Sequence, residues 1–349
     1  MKGNEAIAEA AIRAGCLRFY GYPITPQTEV SAYMSKKMPK VGGLFMQAES
    51  EIAAINMVYG SAAAGVRAMT SSSSPGISLK AEGISYIAGA DLPCVVLNIV
   101  RGGPGLGGIQ PAQSNYFQAT KGLAHGDFQL VVLAPSSIQE CVDLTYEAFD
   151  IADQYRMPVM LIGDGMLGQM MEPVTFPEEY KGRDLPEKTW ATNGTQMKRK
   201  HNVVNSLYIE PNELEKLVVE RYKKYDYIKE TEVKYETENI KDADVVLVAY
   251  GTIARIAKSA MQKARNEGIK VGLIRPITLW PFPEKIISET AKKAKSFLAV
   301  EMSMGQMVED VRLAVNGQAD VHFYGRTGGV IPTPDEVYNK IIEIAGGAK

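Results

Sequence analysis

Arg101 is the only basic residue between positions 81 and 120. It follows the apolar run 93–100 and precedes the loop GGPGLGG. A planar guanidinium held over a glycine loop in apolar surroundings suits a small carboxylate or a phosphate. Burying it unpaired is costly, so it calls for an anionic ligand or an internal ion pair with Glu82 or Asp91. A second candidate lies in Met46-Gln47-Ala48-Glu49-Ser50-Glu51, where a strand-like run meets an alanine-rich helical pattern. A carboxylate there favours the helix N-terminus electrostatically. Glu51 also precedes an apolar face (Ile55, Val58), and desolvation would raise its pKa and let it share a proton at neutral pH. The third is Gly21-Tyr22-Pro23-Ile24-Thr25-Pro26. Two prolines hold a turn open after the first expected strand, where open α/β sheets place their sites, and Thr25 offers a hydroxyl and an N–H. A simple strand-to-helix turn is the alternative there.

These residues need rigid elements beneath them, and the chain alternates suitable patterns. Short apolar runs at 17–23, 44–47, 66–70, 93–100, 130–135 and 158–164 read as strands. Helical patterns near 4–14, 51–64, 77–90 and 137–155 separate them, the first with Asn4 as its expected cap. Continuous rather than alternating apolar strands with helices between them predict a parallel sheet covered on both faces. The same alternation resumes after about 241 in a smaller unit, so the expectation is an α/β protein of two domains. Residues 210–244 carry eighteen charged side chains in thirty-five positions and read as a solvated connector.

Lys+Arg 38 against Asp+Glu 40 leaves a net charge of −2, which argues against a nucleic-acid binder. Cys16, Cys94 and Cys141 stand far apart, with no metal or disulfide spacing, and a reducing cytoplasm is the default compartment. His125, His201 and His322 have no ligand spacing, so no metal is expected on this chain. The glycine loop is no nucleotide fingerprint: it lacks GK[ST], and Gln110 falls where GxGxxG needs its third glycine. Neither a signal peptide nor a membrane span is expected, because no long apolar run occurs. Gly163-Asp164-Gly165 followed by Asn193 imitates the GDG…N magnesium–diphosphate motif of thiamine enzymes. The context of Asn193, KTWATNGTQMKRK, is polar and unlike a buried strand end, and the match reads as coincidence.

Taken together, GYPITPQTE, QAESE ahead of a small-residue helix, and the strand ending in Arg101-Gly102-Gly103-Pro104 resemble the 2-oxoacid:ferredoxin oxidoreductases, α-type subunit. The second unit adds YGTIARIAKSA, GLIRPITLWPFP, VEMSMGQMVEDVRLAV and FYGRTGGVIPTPDEV to the resemblance. It implies a thiamine-pyrimidine-type parallel-sheet domain over 1–170, a charged linker over 171–240 and a transketolase C-terminal-like α/β domain over 241–349.

The resemblance also implies roles. Glu51 would meet N1′ of the thiamine aminopyrimidine, with Ile24 and Thr25 also lining the cofactor. Arg101 would bind the substrate carboxylate, with Thr25 alongside as a donor. Glu49 is the weaker candidate. Thiamine diphosphate would be shared with a diphosphate-binding β-type subunit. Magnesium and iron–sulfur clusters would lie on partners, namely that subunit, a γ-type subunit and a ferredoxin-like cluster subunit, with ferredoxin as acceptor and coenzyme A as co-substrate. In 2-oxoglutarate-specific relatives the loop after the arginine carries hydroxyls. Here Gly105, Leu106 and Gly107 stand in their place, with no basic residue before Lys121, which favours a branched-chain 2-oxoacid such as 2-oxoisovalerate. An α subunit acting on 2-oxoglutarate and a non-catalytic scaffold subunit are the alternatives.

Overall fold

The computed structural model describes residues 1–346, so the last three residues of the expected second domain lie outside it. The first unit supplies six strands, β1 (Arg18–Gly21), β2 (Leu44–Gln47), β3 (Ala68–Ser72), β4 (Cys94–Val100), β5 (Val131–Leu133) and β6 (Pro158–Asp164). Its helices are α1 (Gly3–Arg13), α2 (Thr28–Lys37), α3 (Glu51–Ala63), α4 (Ser74–Gly89), α5 (Tyr116–Thr120), α6 (Ile138–Tyr155) and α7 (Gly165–Gln169). The strands pair in parallel in the order β2-β1-β3-β4-β6-β5. β3 and β4 are buried along their whole length, as continuous apolar and small side chains require when helices cover both faces.

From 171 to 210 the chain runs without helix or regular strand. On the way it passes the end of α3, where Thr192 donates from N and Oγ1 to the Ala63 carbonyl at 2.8 and 3.0 Å. The charged helix α8 (Pro211–Thr231) follows. It buries Tyr225 and Ile228 and docks its basic face on Asp91, which accepts from Arg221 and Lys224.

The second sheet contains β7 (Tyr235–Glu238), β8 (Val245–Val248), β9 (Val271–Pro276), then, beyond β10 (Thr278–Trp280), β11 (Ser296–Glu301) and β12 (Asp320–Gly325). Its order is β12-β11-β8-β9-β7, parallel except for β7. Helices α9 (Gly251–Asn266), α10 (Glu284–Ala291), α11 (Met307–Val315) and α12 (Pro334–Gly346) accompany it. β10 does not join this sheet. It crosses to the first one and pairs antiparallel with β5 as a seventh strand.

The two units are locked by buried polar contacts. Gln113 donates from Nε2 to the Tyr250 carbonyl at 3.0 Å and accepts from Met302 N at 3.0 Å. The Tyr116 hydroxyl donates to Asp310, and the Thr252 hydroxyl to Asp164. Arg275, almost fully buried, donates to Glu140 at 2.7 and 2.9 Å and to Glu236 at 3.0 Å.

Two sequence readings need adjustment. Asn4 is not a cap: it lies inside α1, whose N-cap is Lys2. Its buried amide donates instead to the Pro26 carbonyl at 2.8 Å and to Glu29 at 2.9 Å, so it ties the proline turn to α1. α4 begins at Ser74, three residues before its expected start, with Ser73 at the N-cap position and Pro75 in the first turn.

Gln113→Ala strands a buried carbonyl and a buried N–H between the units. It should lower the stability of the full chain by about 1–3 kcal/mol, read as a lower urea midpoint.

Candidate active site

The proline turn, the Glu51 end of α3, the start of α4 and the Arg101 loop all follow carboxyl ends of adjacent parallel strands, β1, β2, β3 and β4. Arg101 and Thr25 meet directly. The guanidinium donates from one terminal nitrogen to the Thr25 carbonyl at 2.9 Å and from the other to the Leu106 carbonyl at 3.1 Å. Its Nε is buried without a partner among the described residues. The ion-pair alternative fails, since Asp91 is engaged by Arg221 and Lys224, and Glu82 accepts from the Tyr86 hydroxyl. Ser74 fixes the Arg101 backbone: its hydroxyl accepts from Arg101 N at 3.1 Å and lies 3.2 Å from the Arg101 carbonyl.

Residues 101–111 form a closed loop. Arg101 bridges Pro111, Gly102 N donates to the Gln110 carbonyl, and Gly108 N to the Gly102 carbonyl, each at 3.0 Å. Gly107 has φ +57°, and a methyl on it would overlap the Gly102 carbonyl. Only glycine allows this closure without strain. Leu106 is 85% and Ile109 57% exposed, so the loop presents an apolar rim. Gly328 and Gly329 of the second unit pack against Gly102 and Gln110, so both units shape it.

Glu51 is the first residue of α3, behind the N-cap Ser50, whose hydroxyl accepts from Ala53 N at 3.1 Å. The residue is 5% exposed, and no donor among the described residues reaches its carboxylate. It lies against Gly76 of α4, where a methyl would come within 2.6 Å of Glu51 Oε1. Glu49, by contrast, is exposed. Around the start of α4 the hydroxyls of Ser72 and Ser73 and Nδ2 of Asn98 are buried without partners. Thr25 is exposed and Ile24 half-buried in the turn, with the Ile24 carbonyl accepting from Gln27 N at 3.1 Å. A buried carboxylate with no donor, beside a glycine that keeps its flank open, fits a ligand that brings its own protonated nitrogen.

The Gly163-Asp164-Gly165 match is structural. Asp164 caps α7, accepting from Met166 N and Leu167 N on one oxygen and from the Thr252 hydroxyl on the other, while burial raises its carboxyl. Asn193 instead accepts from Arg199 at 2.7 Å. No group of metal-ligating side chains occurs among the described residues. The three cysteines are free and buried, and burial pushes the Cys16 and Cys94 thiols up to about 12. No helix among the described residues is long and apolar enough to cross a membrane.

Sequence reasoning missed three positioning groups: Asn4, Gln27 and Ser74. Gln27 accepts from the buried Ser71 hydroxyl at 2.6 Å and so joins the turn to β3. The serine run 71–74 was the available signal, since four hydroxyls entering a helix have little use in a plain core.

Residues 9–240 match the family described as pyruvate flavodoxin/ferredoxin oxidoreductase, thiamine diphosphate-binding, and residues 243–337 match pyruvate:ferredoxin oxidoreductase core domain II. The chain is 50% identical over 346 residues to the ketoisovalerate oxidoreductase subunit VorB of Methanothermobacter marburgensis, covering 99% of this chain and 97% of that one. It is 37% identical to the 2-oxoglutarate synthase subunit KorA of the same organism, covering 98% of each chain. A solved structure of 2-oxoglutarate:ferredoxin oxidoreductase from Magnetococcus marinus, with 2-oxoglutarate, coenzyme A and succinyl-CoA bound, superposes with a TM-score of 0.84 at 28% identity. That match covers 98% of this chain, which spans 64% of the length of the solved one. A split-gene transketolase shares the fold, with a TM-score of 0.61 at 13% identity over 98% of this chain and 97% of that one. The fold and the paired family regions define a thiamine-type oxidoreductase component. The chain belongs to the 2-oxoacid:ferredoxin oxidoreductase family, as an α-type subunit.

Gly107→Ala is expected to open the 102–110 loop while leaving the fold intact. Limited proteolysis should cut there faster than in the parent chain, with an unchanged thermal midpoint.

Proposed function

We propose that this chain supplies the substrate-carboxylate and aminopyrimidine side of a thiamine diphosphate site in an enzyme that converts a branched-chain 2-oxoacid, such as 2-oxoisovalerate, to acyl-CoA and CO₂. Reduced ferredoxin is the other product. The observation that carries this reading is the pairing of two incompletely satisfied groups at one sheet edge. One is the Arg101 guanidinium, which among the described residues donates only to carbonyls; the other is the carboxylate of Glu51, a residue 5% exposed with no donor among them. Residues 1–170 hold this half-site, 171–234 link it, and from β7 onward the transketolase C-terminal-like unit supports it.

When bound, the thiazolium of the cofactor would act as the electron sink for loss of CO₂. Arg101 orients the 2-oxoacid by receiving its carboxylate on the guanidinium, a geometry that a point-charge lysine cannot reproduce. Thr25 donates alongside, and its carbonyl already holds Arg101 in place. Glu51 would accept from the protonated ring nitrogen of the aminopyrimidine, and Ile24 would line the cofactor. The rim of Leu106 and Ile109 accepts an aliphatic side chain and offers a second carboxylate no cation.

The diphosphate, its magnesium and the iron–sulfur clusters are assigned to partner subunits: a β-type subunit, a γ-type subunit and a ferredoxin-like subunit. Ferredoxin is the acceptor and coenzyme A the acyl acceptor, in the cytoplasm. The subunit names of the VorB relatives and the bound coenzyme A in the Magnetococcus enzyme support this assignment.

Co-expression with the partners should give CoA-dependent dye reduction, with higher kcat/KM for 2-oxoisovalerate than for 2-oxoglutarate; the reverse order would reject the substrate assignment. Glu51→Gln in that complex should lower turnover by about 100-fold or more. Arg101→Lys should raise the KM for the 2-oxoacid by about tenfold or more.

A further inference from the structure

Lys80 is fully buried in α4, and its Nζ has no hydrogen-bond partner among the described residues. It stands one turn beyond Gly76, on the stripe Gly76-Lys80-Gly83 that α4 turns toward α3. At one end of that stripe Gly76 touches Glu51, and at the other a side chain on Gly83 would strike Ile55. Glu51 and Ile55 are themselves one turn apart on α3. Lys80 therefore lies in the crossing, between the two contacts.

We propose that Lys80 is a positioning residue for Glu51, its ammonium acting from within the α3–α4 crossing to hold Glu51 as a carboxylate. The proposal rests on the reading of Glu51 given above and extends it to the group that sets the charge of that carboxylate.

The surroundings leave Lys80 no other counter-charge. From α3 the ionisable groups are Glu51 and Tyr59, and only Glu51 acts on Lys80. β3 brings none, and β4 brings Cys94, held as a neutral thiol by burial. β6 brings Asp164, whose oxygens are taken by Met166, Leu167 and Thr252. On α4 itself, Glu82 and Tyr86 bond to each other on the exposed face. Burial pushes the Lys80 ammonium down to about 8, and the Glu51 charge opposes that fall. Lys80 is thus largely charged at neutral pH and loses its proton just above it. An ammonium beside a carboxylate favours the ionised acid. With Lys80 charged, Glu51 would be favoured as the acceptor for a ring N–H of a bound aminopyrimidine; with Lys80 neutral, that bias would be lost. Turnover should therefore fall as pH rises through about 8.

The direct test needs no reaction. The full chain is labelled with [ε-13C]lysine, the Lys80 resonance is assigned by its loss in Lys80→Met, and its titration is followed by NMR. A midpoint near 8 that drops by about one pH unit or more in Glu51→Gln supports the pairing. An ordinary lysine midpoint of about 10.4, or one unmoved by Glu51→Gln, overturns it. In the assembled complex, Lys80→Met and Lys80→Gln should both reduce kcat by about tenfold at neutral pH with little change in KM. Both should also lose the alkaline limb. Using two uncharged replacements separates loss of charge from a packing defect in either one. Unchanged kcat with the limb retained overturns the proposal. Full turnover of Glu51→Gln would overturn the reading of the reaction, and the positioning role with it, even where the NMR coupling holds.

Discussion

A guanidinium fixed by two carbonyl oxygens, with no carboxylate partner among the described residues, is the constraint around which the first unit is arranged. Carbonyls orient Arg101 but do not neutralise it, so its charge stays available to an incoming anion. Asp91 stands at the opposite end of β4 and is engaged by Arg221 and Lys224 of α8, while Glu82 accepts from the Tyr86 hydroxyl, so neither carboxylate meets the guanidinium. The carbonyls must also be held. Asn4 and Gln27 anchor the turn that presents Thr25, while the tight glycine closure presents Leu106. Small polar contacts that look unrelated in the chain thus converge on one cation.

The second unit has a part in this arrangement. Gly328 and Gly329 press on the Arg101 loop, Gln113 spans to Tyr250 and Met302, and Thr252 occupies the free oxygen of Asp164. Satisfying Asp164 in this way also removes the one carboxylate whose sequence context imitates a magnesium site.

The elements and the site were legible to different extents. Strands 44–47 and 158–164 agree with the structure residue for residue, because continuous apolar runs bounded by turns have few other uses. Arg101 stood out because its charge is isolated in a nearly uncharged segment, and Glu51 is distinguished from Glu49 by the apolar face that follows it. Lys80 was illegible for a related reason. It sits immediately before the nearly uncharged stretch that begins at 81, and one lysine on a helix normally reads as solvent-facing. Its burial is a consequence of helix crossing, which periodicity within one helix does not encode. Asn4 was misread because a helix start invites a cap, whereas its real partners, Pro26 and Glu29, lie more than twenty residues away.

β10 belongs by sequence to the second unit and by hydrogen bonding to the first sheet, where it covers the outer edge of β5. A ribosome must therefore release about 115 residues beyond the last strand of the first unit before that sheet is complete. Until then β5 offers an open ladder of donors and acceptors, the kind of edge that recruits stray strands. Nascent chains of this protein carry that liability late into synthesis, and the strand that ends it also commits the two units to a single orientation.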